Sequence, residues 1–148
     1  MNLIERDSFI FEMENEEDKT AINDLLKKTF KAWNDLDIET LLVHYQGLIE
    51  FGYRTEDIRN TNAVGLLEVR NSLSQSFEKM ESLKVEPISG IIRQFGNTVV
   101  LAGFFREIVL LKNKQQIGTK FRYTITFIKQ NNKWKSILEH RDNLFPGS

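Results

Sequence analysis

The sequence predicts an α+β fold: three N-terminal helices packed on one face of a curved, mainly antiparallel sheet. Three observations carry it. Apolar residues recur at spacings of three and four through the first half of the chain, the period of a one-sided helix. The second half is rich in Ile, Val, Thr, Phe and Tyr and is punctuated by the polar breaks "GN", "KNKQQ" and "QNN", as hairpins are. The length of 148 residues suits one domain burying roughly two thirds of its unfolded surface. Helices followed by a meander of strands segregate into layers, which gives the fold class.

Residues 1–15 mix apolar and acidic side chains without period and read as an arm, with a short element around Phe9 to Phe11. The acidic run Glu12 to Asp18 then favours the N-terminus of a helix. That first helix starts near Glu16, places Ile22, Leu25, Leu26, Phe30 and Trp33 on one face, and ends near Asn34. Asp37 is suited to cap a second, shorter helix with Ile38, Leu41, Leu42 and Tyr45 as its apolar stripe, ending before Gly47. "LIEFGY", Leu48 to Tyr53, reads as a short strand or extended segment leading into a polar loop through Asn62, where a pocket mouth could lie. Beyond Gly65 the spacing of Leu66, Val69, Leu73, Phe77 and Met80 predicts a third helix to about Ser82. Four strands follow: Val85 to Phe95, Thr98 to Leu111, Gly118 to Lys129 and Trp134 to Leu144. In the third of these, Phe121, Tyr123, Ile125 and Phe127 point one way, and Arg122, Thr124, Thr126 and Ile128 the other.

Composition removes several function classes. There is no Cys, so disulfides, thiolate metal sites and cysteine nucleophiles are excluded together. Twenty basic and 21 acidic residues give a net charge of -1, without the basic field that gathers nucleic-acid phosphates. "MNLIERDSFIFEMENEED" has acidic residues where a secretory leader has basic ones, and "VVLAGFF" is far short of the ~20 residues that cross a bilayer as a helix. A cytoplasmic protein with no membrane or nucleic-acid partner is expected. The two histidines, His44 and His140, lack a metal-binding spacing, so a metal site is not expected.

Three stretches carry a family resemblance. "FKAWNDLDIETLLVHY" resembles the helix pair, "GLLEVRNSL" the opening of the third helix, and "FRYTITFIKQNNKWKSILEHRDN" the last hairpin of the nuclear transport factor two-like superfamily, in its SnoaL-like branch. The similarity runs from about Ala21 to Asn143. It implies a strongly bent sheet forming a cone against three helices, with an internal pocket, and a homodimer through the outer sheet face. It also implies a small-molecule ligand and a cofactor-independent lyase, isomerase or cyclase chemistry on a small apolar or carboxylate-bearing substrate. The steroid isomerase pattern fails, because its helix-one tyrosine falls on Thr29 and its aspartate base on Tyr53. "EHRDN" also resembles the last strand of the calmodulin-dependent kinase association domain, whose pocket arginine falls on Arg141. That likeness leaves open a non-enzymatic oligomerisation or interaction module.

Strand alternation divides the ionisable cluster of "KWKSILEHRDN": Lys135, Ile137, Glu139 and Arg141 share one face, and Trp134, Ser136, Leu138, His140 and Asp142 the other. Carrying Arg141 to the pocket takes Glu139 and Tyr123 with it. The candidate pocket residues are Trp33, Tyr45, Tyr53, Phe104, Arg106, Tyr123 and Arg141, with Glu139 and His140 as candidate catalytic groups. For Glu139 and Arg141 a structural ion pair competes with acid-base or ligand-anchoring work. For His140 a packed, hydrogen-bonded imidazole competes with catalysis. Arg106, inside "LAGFFREIVLL", needs either an ionic partner or an anionic ligand.

Overall fold

A computed structural model describes residues 9–44, 50–54, 60–64 and 66–143. Its elements run β1 (Phe9–Glu12), α1 (Glu16–Asn34), α2 (Ile38–His44), β2 (Glu50–Arg54), β3 (Asn60–Val64), α3 (Leu66–Glu78), β4 (Met80–Phe95), β5 (Thr98–Leu111), β6 (Gln116–Gln130) and β7 (Lys133–Asn143). The strands form one sheet in the order β1-β4-β5-β6-β7-β2-β3. The long strands pair antiparallel, while β1 joins β4 and β2 joins β7 in parallel. Among the described residues no helix is long and apolar enough to cross a membrane.

Local chemistry sets the helix ends. Asn15 caps α1 by accepting from the Asp18 amide at 2.9 Å. The other end closes with Asp37 N–H donating to the Ala32 carbonyl and Leu36 N–H to that of Trp33, at 2.8 and 3.1 Å. Leu36 takes the left-handed conformation this ending requires, at φ 54°. Asp37 then caps α2 as expected, receiving the Thr40 amide and hydroxyl at 3.2 and 2.6 Å. Asn34 also accepts from the Val85 amide at 2.8 Å, which pins the end of α1 to β4 and so places Trp33.

The sheet is bent by irregularities at defined places. Glu81 and Ile88 are extra residues in β4 relative to β5, and Ile137 is extra in β7 relative to β6. Gly90 and Gly103 face each other across β4 and β5, and the Phe9 ring covers both. A Cβ on Gly90 would stand 2.7 Å from the Ala102 carbonyl oxygen and 2.8 Å from the Gly103 Cα, so the close approach requires glycine.

The concave face holds the core. Val99, Leu101, Phe105, Phe121, Ile125 and Phe127 meet Ile22, Leu26 and Phe30 of α1, all buried. Phe105 is central, with Phe30, Phe121, Tyr123 and Phe9 ring centroids 5.3, 5.7, 5.6 and 5.7 Å away.

Several boundaries differ from the sequence reading. Helix α3 stops at Glu78, not Ser82, because Met80 and Ser82 are taken into the ladder with Leu111 and Leu110. Part of the expected loop is strand, since Asn60–Val64 pairs with Glu50–Arg54 in a hairpin. Tyr45 and the expected end of the second helix before Gly47 lie outside the described residues. The extra residue Ile137 also breaks the alternation expected along β7. Trp134 and Ser136 pair with Lys129 and Phe127, and so lie on the concave face with Glu139 and Arg141 instead of with His140.

Candidate functional site

The site is built where the C-terminal half of α1 meets the concave face of the sheet. Register places Tyr123 opposite Arg141 and Ile125 opposite Glu139 on the concave face of β6 and β7. Arg141 lies on the Phe121 ring, its guanidinium carbon 3.9 Å from the centroid, and donates from Nη1 to Glu107 Oε2 at 2.6 Å. Only 16% of the Arg141 side chain and 14% of the Glu107 side chain is exposed. An ion pair this sheltered is less screened than a surface pair, and ring stacking fixes the plane of the guanidinium.

Deeper in, the Tyr123 hydroxyl donates to Glu139 Oε2 at 2.9 Å, and Glu139 is 1% exposed. A carboxylate there needs hydrogen bonds to offset lost hydration, and the tyrosine hydroxyl supplies one.

Two spaces adjoin these groups. The inner one, about 20 Å³, lies among Phe30, Val85, Phe121 and Tyr123, room for about one water. The outer one, about 230 Å³, has a wall of Leu73, Phe77, Met80 and Leu83, with the hydroxyl residues Ser72, Ser76 and Thr119 also lining it. Trp33, Glu107 and Arg141 border both spaces. Trp33 is held edge-on to Phe77 of α3, with ring centroids 5.6 Å apart.

Of the residues singled out from the sequence, Trp33, Tyr123 and Arg141 border this cleft, and Glu139 lies behind Tyr123. Phe104 and Arg106 do not. Both are exposed on the convex face, with Phe104 at 42%. The β5 register puts Phe105 opposite Phe121, so Phe105 and Glu107 are the inward residues. His140 is likewise exposed on the convex face, opposite Thr124. Tyr53 pairs with Arg141 along the backbone of β2 and β7, and its side chain lies outside the described residues.

His44 is half-buried. Thr29 Oγ1 donates to the Leu25 carbonyl oxygen at 2.7 Å and lies 3.2 Å from His44 Nδ1, which is left to donate to it. Burial, then the nearby Lys28 charge, lowers the His44 pKa from its ordinary value. Among the described residues no group of three His, Asp or Glu side chains could hold a metal ion.

Glu107 was missed in the sequence. The available signal was its neighbour: once Phe105 is inward, so is the residue two along.

No protein-family model matches the chain, and no curated protein does. Solved structures do match. A nuclear transport factor 2 (NTF2-like) superfamily protein from Salmonella enterica serovar Typhimurium superposes with a TM-score of 0.74 at 13% identity, covering 88% of this chain and 93% of that one. The chain has the NTF2-like fold. The same fold is found in a provisionally assigned aromatic ring hydroxylase from Novosphingobium aromaticivorans, with a TM-score of 0.76, 20% identity, and coverage of 90% and 94%. A provisionally assigned calcium/calmodulin-dependent protein kinase II association domain from Xanthomonas campestris has a TM-score of 0.71 at 18% identity, with 91% of each chain covered. At these identities the NTF2-like likeness speaks for architecture, and function must come from the site.

Proposed function

We propose that the chain binds a small, largely apolar molecule in the cleft between α1, α3 and the sheet, with the ligand's polar head at Arg141. The observation that carries this reading is the sheltered Glu107–Arg141 pair standing between two spaces beside Trp33. Apolar walls with a few convergent polar groups are what small-molecule sites require. If the ligand is transformed, the reaction belongs to the cofactor-independent lyase, isomerase or cyclase class. In that case Tyr123 and Glu139 are the groups placed to hold or move a proton.

The test is a thermal-shift screen of aromatic compounds with and without a polar head, repeated on Arg141→Met. A midpoint shift that the variant loses supports the reading. No shift from any compound, or shifts unchanged in the variant, would sink it.

A second reading, an oligomerisation module, is favoured by the convex face, where Ile91 and Phe104 are 39% and 42% exposed and close together across β4 and β5. A homodimer through this face would cover them. Light scattering on the wild type and on Phe104→Glu decides: a dimer that becomes a monomer in the variant supports the interface, and a wild-type monomer removes it.

A further inference from the structure

The ion pair at the cleft sets a condition on the charge of whatever binds there. Glu107 and Arg141 are joined at 2.6 Å and sheltered from solvent, and a third charged-type group, Glu139, is buried behind Tyr123. A ligand bearing only a carboxylate reaches Arg141 by displacing Glu107. That leaves Glu107 as a carboxylate without its guanidinium, with only 14% of its side chain exposed. Leaving one partner of a sheltered pair uncompensated is the costly way to break it. A ligand bearing only an ammonium takes Glu107 from Arg141 and adds an unbalanced positive charge beside the guanidinium.

We propose that the cleft is selective for a zwitterion: a small molecule with an ammonium group for Glu107, a carboxylate for Arg141 and an aromatic body for the wall of Trp33 and Phe77. Such a ligand exchanges one internal ion pair for two external ones and leaves the total charge of the site unchanged. Glu107 and Arg141 have long unbranched side chains, so they can part to admit a head group while the Arg141 guanidinium stays over the Phe121 ring. The outer space of about 230 Å³ receives the body, with the Ser72 and Ser76 side chains among its lining. This inference rests on the cleft reading above and narrows its ligand class.

Three compounds with one skeleton test it: phenylalanine, 3-phenylpropanoate and 2-phenylethylamine, titrated calorimetrically into the intact chain. Phenylalanine is expected to bind at least about tenfold more tightly than either singly charged compound. In Glu107→Gln the ranking is expected to change, with 3-phenylpropanoate equalling or passing phenylalanine. In Arg141→Met phenylalanine binding is expected to be lost. If either singly charged compound matches phenylalanine on the wild type and needs Arg141, the zwitterion inference fails and the cleft reading stands. If none of the three binds, both fall. Binding of phenylalanine that survives both substitutions lies elsewhere and overturns the inference. Should Glu107→Gln lose its fold by circular dichroism, the ranking on the wild type alone still decides.

Discussion

At the scale of single residues, the hydrogen bond from Tyr123 to Glu139 is the most sheltered polar contact of the candidate site. Tyr123→Phe removes one donor from a carboxyl that is 1% exposed, while the ring packing against Phe105 and Phe121 is kept. Urea denaturation should show a loss of about 1–3 kcal/mol, the cost of removing a hydrogen bond to a buried carboxyl. A loss below 0.5 kcal/mol would mean that the carboxyl's other contacts suffice. Glu139 and Arg141 were legible in the sequence because alternation along five residues of β7 is unbroken from Leu138 to Asp142. Phe104 and Arg106 were misplaced for a physical reason. In "FFRE" each parity offers one aromatic and one charged residue, Phe104 with Arg106 or Phe105 with Glu107, and alternation alone cannot say which set is inward. The pairing of Phe105 with Phe121 decides it, and that is a contact between strands.

At the scale of elements, the close approach of β4 to β5 yields a matched pair of substitutions. Gly90→Ala puts a methyl against backbone atoms at 2.7 and 2.8 Å and should cost about 3 kcal/mol, since backbone cannot swing aside as a side chain can. Gly118→Ala meets nothing within 4 Å and should stay within about 0.5 kcal/mol of the wild type by the same denaturation measurement. The start of α1 is tied to the sheet by Asp18, which accepts from Gln94 Nε2, Lys129 Nζ and Trp134 Nε1 at 2.9, 2.9 and 3.3 Å. The Gln94 bond first, then Lys129, lowers the Asp18 pKa below its ordinary value. A lowered carboxyl contributes stability that is complete above the unfolded value, about 3.9, and is lost as the pH falls through the folded one. Asp18→Asn should therefore be about 1–2 kcal/mol less stable than the wild type at pH 7, with the two stability curves converging in acid. A gap that persists below pH 2 would assign the effect to packing. The helices were legible to within a few residues because their period and caps are local. The α3 end and β3 were not, because pairing with β5 and β2 fixed them.

At the scale of the molecule, the helix-first, strand-later order was enough to read the α+β class, since segregated elements have few ways to layer. The position of the cleft was less legible. It depends on where α1 ends, on the Asn34 tie to β4, and on which way each long strand faces. One of the irregularities that shape the sheet, the extra residue at Ile137, has a consequence for how this chain can change over generations. It works like a shift of reading frame inside β7. Deleting that one codon would set Ser136 next to Leu138 in plain alternation, so Trp134 would keep its place beside Asp18 and Glu139 and Arg141 their partners on β6 and β5, with only the local bend lost. Keeping Ile137 but pairing it with Phe127 would instead exchange inside for outside over residues 133–136 and pull Trp134 away from Asp18. One segment of the strand is fastened to α1 and the other furnishes the cleft, and the way the first faces relative to the second hangs on whether this single residue is left out of the ladder.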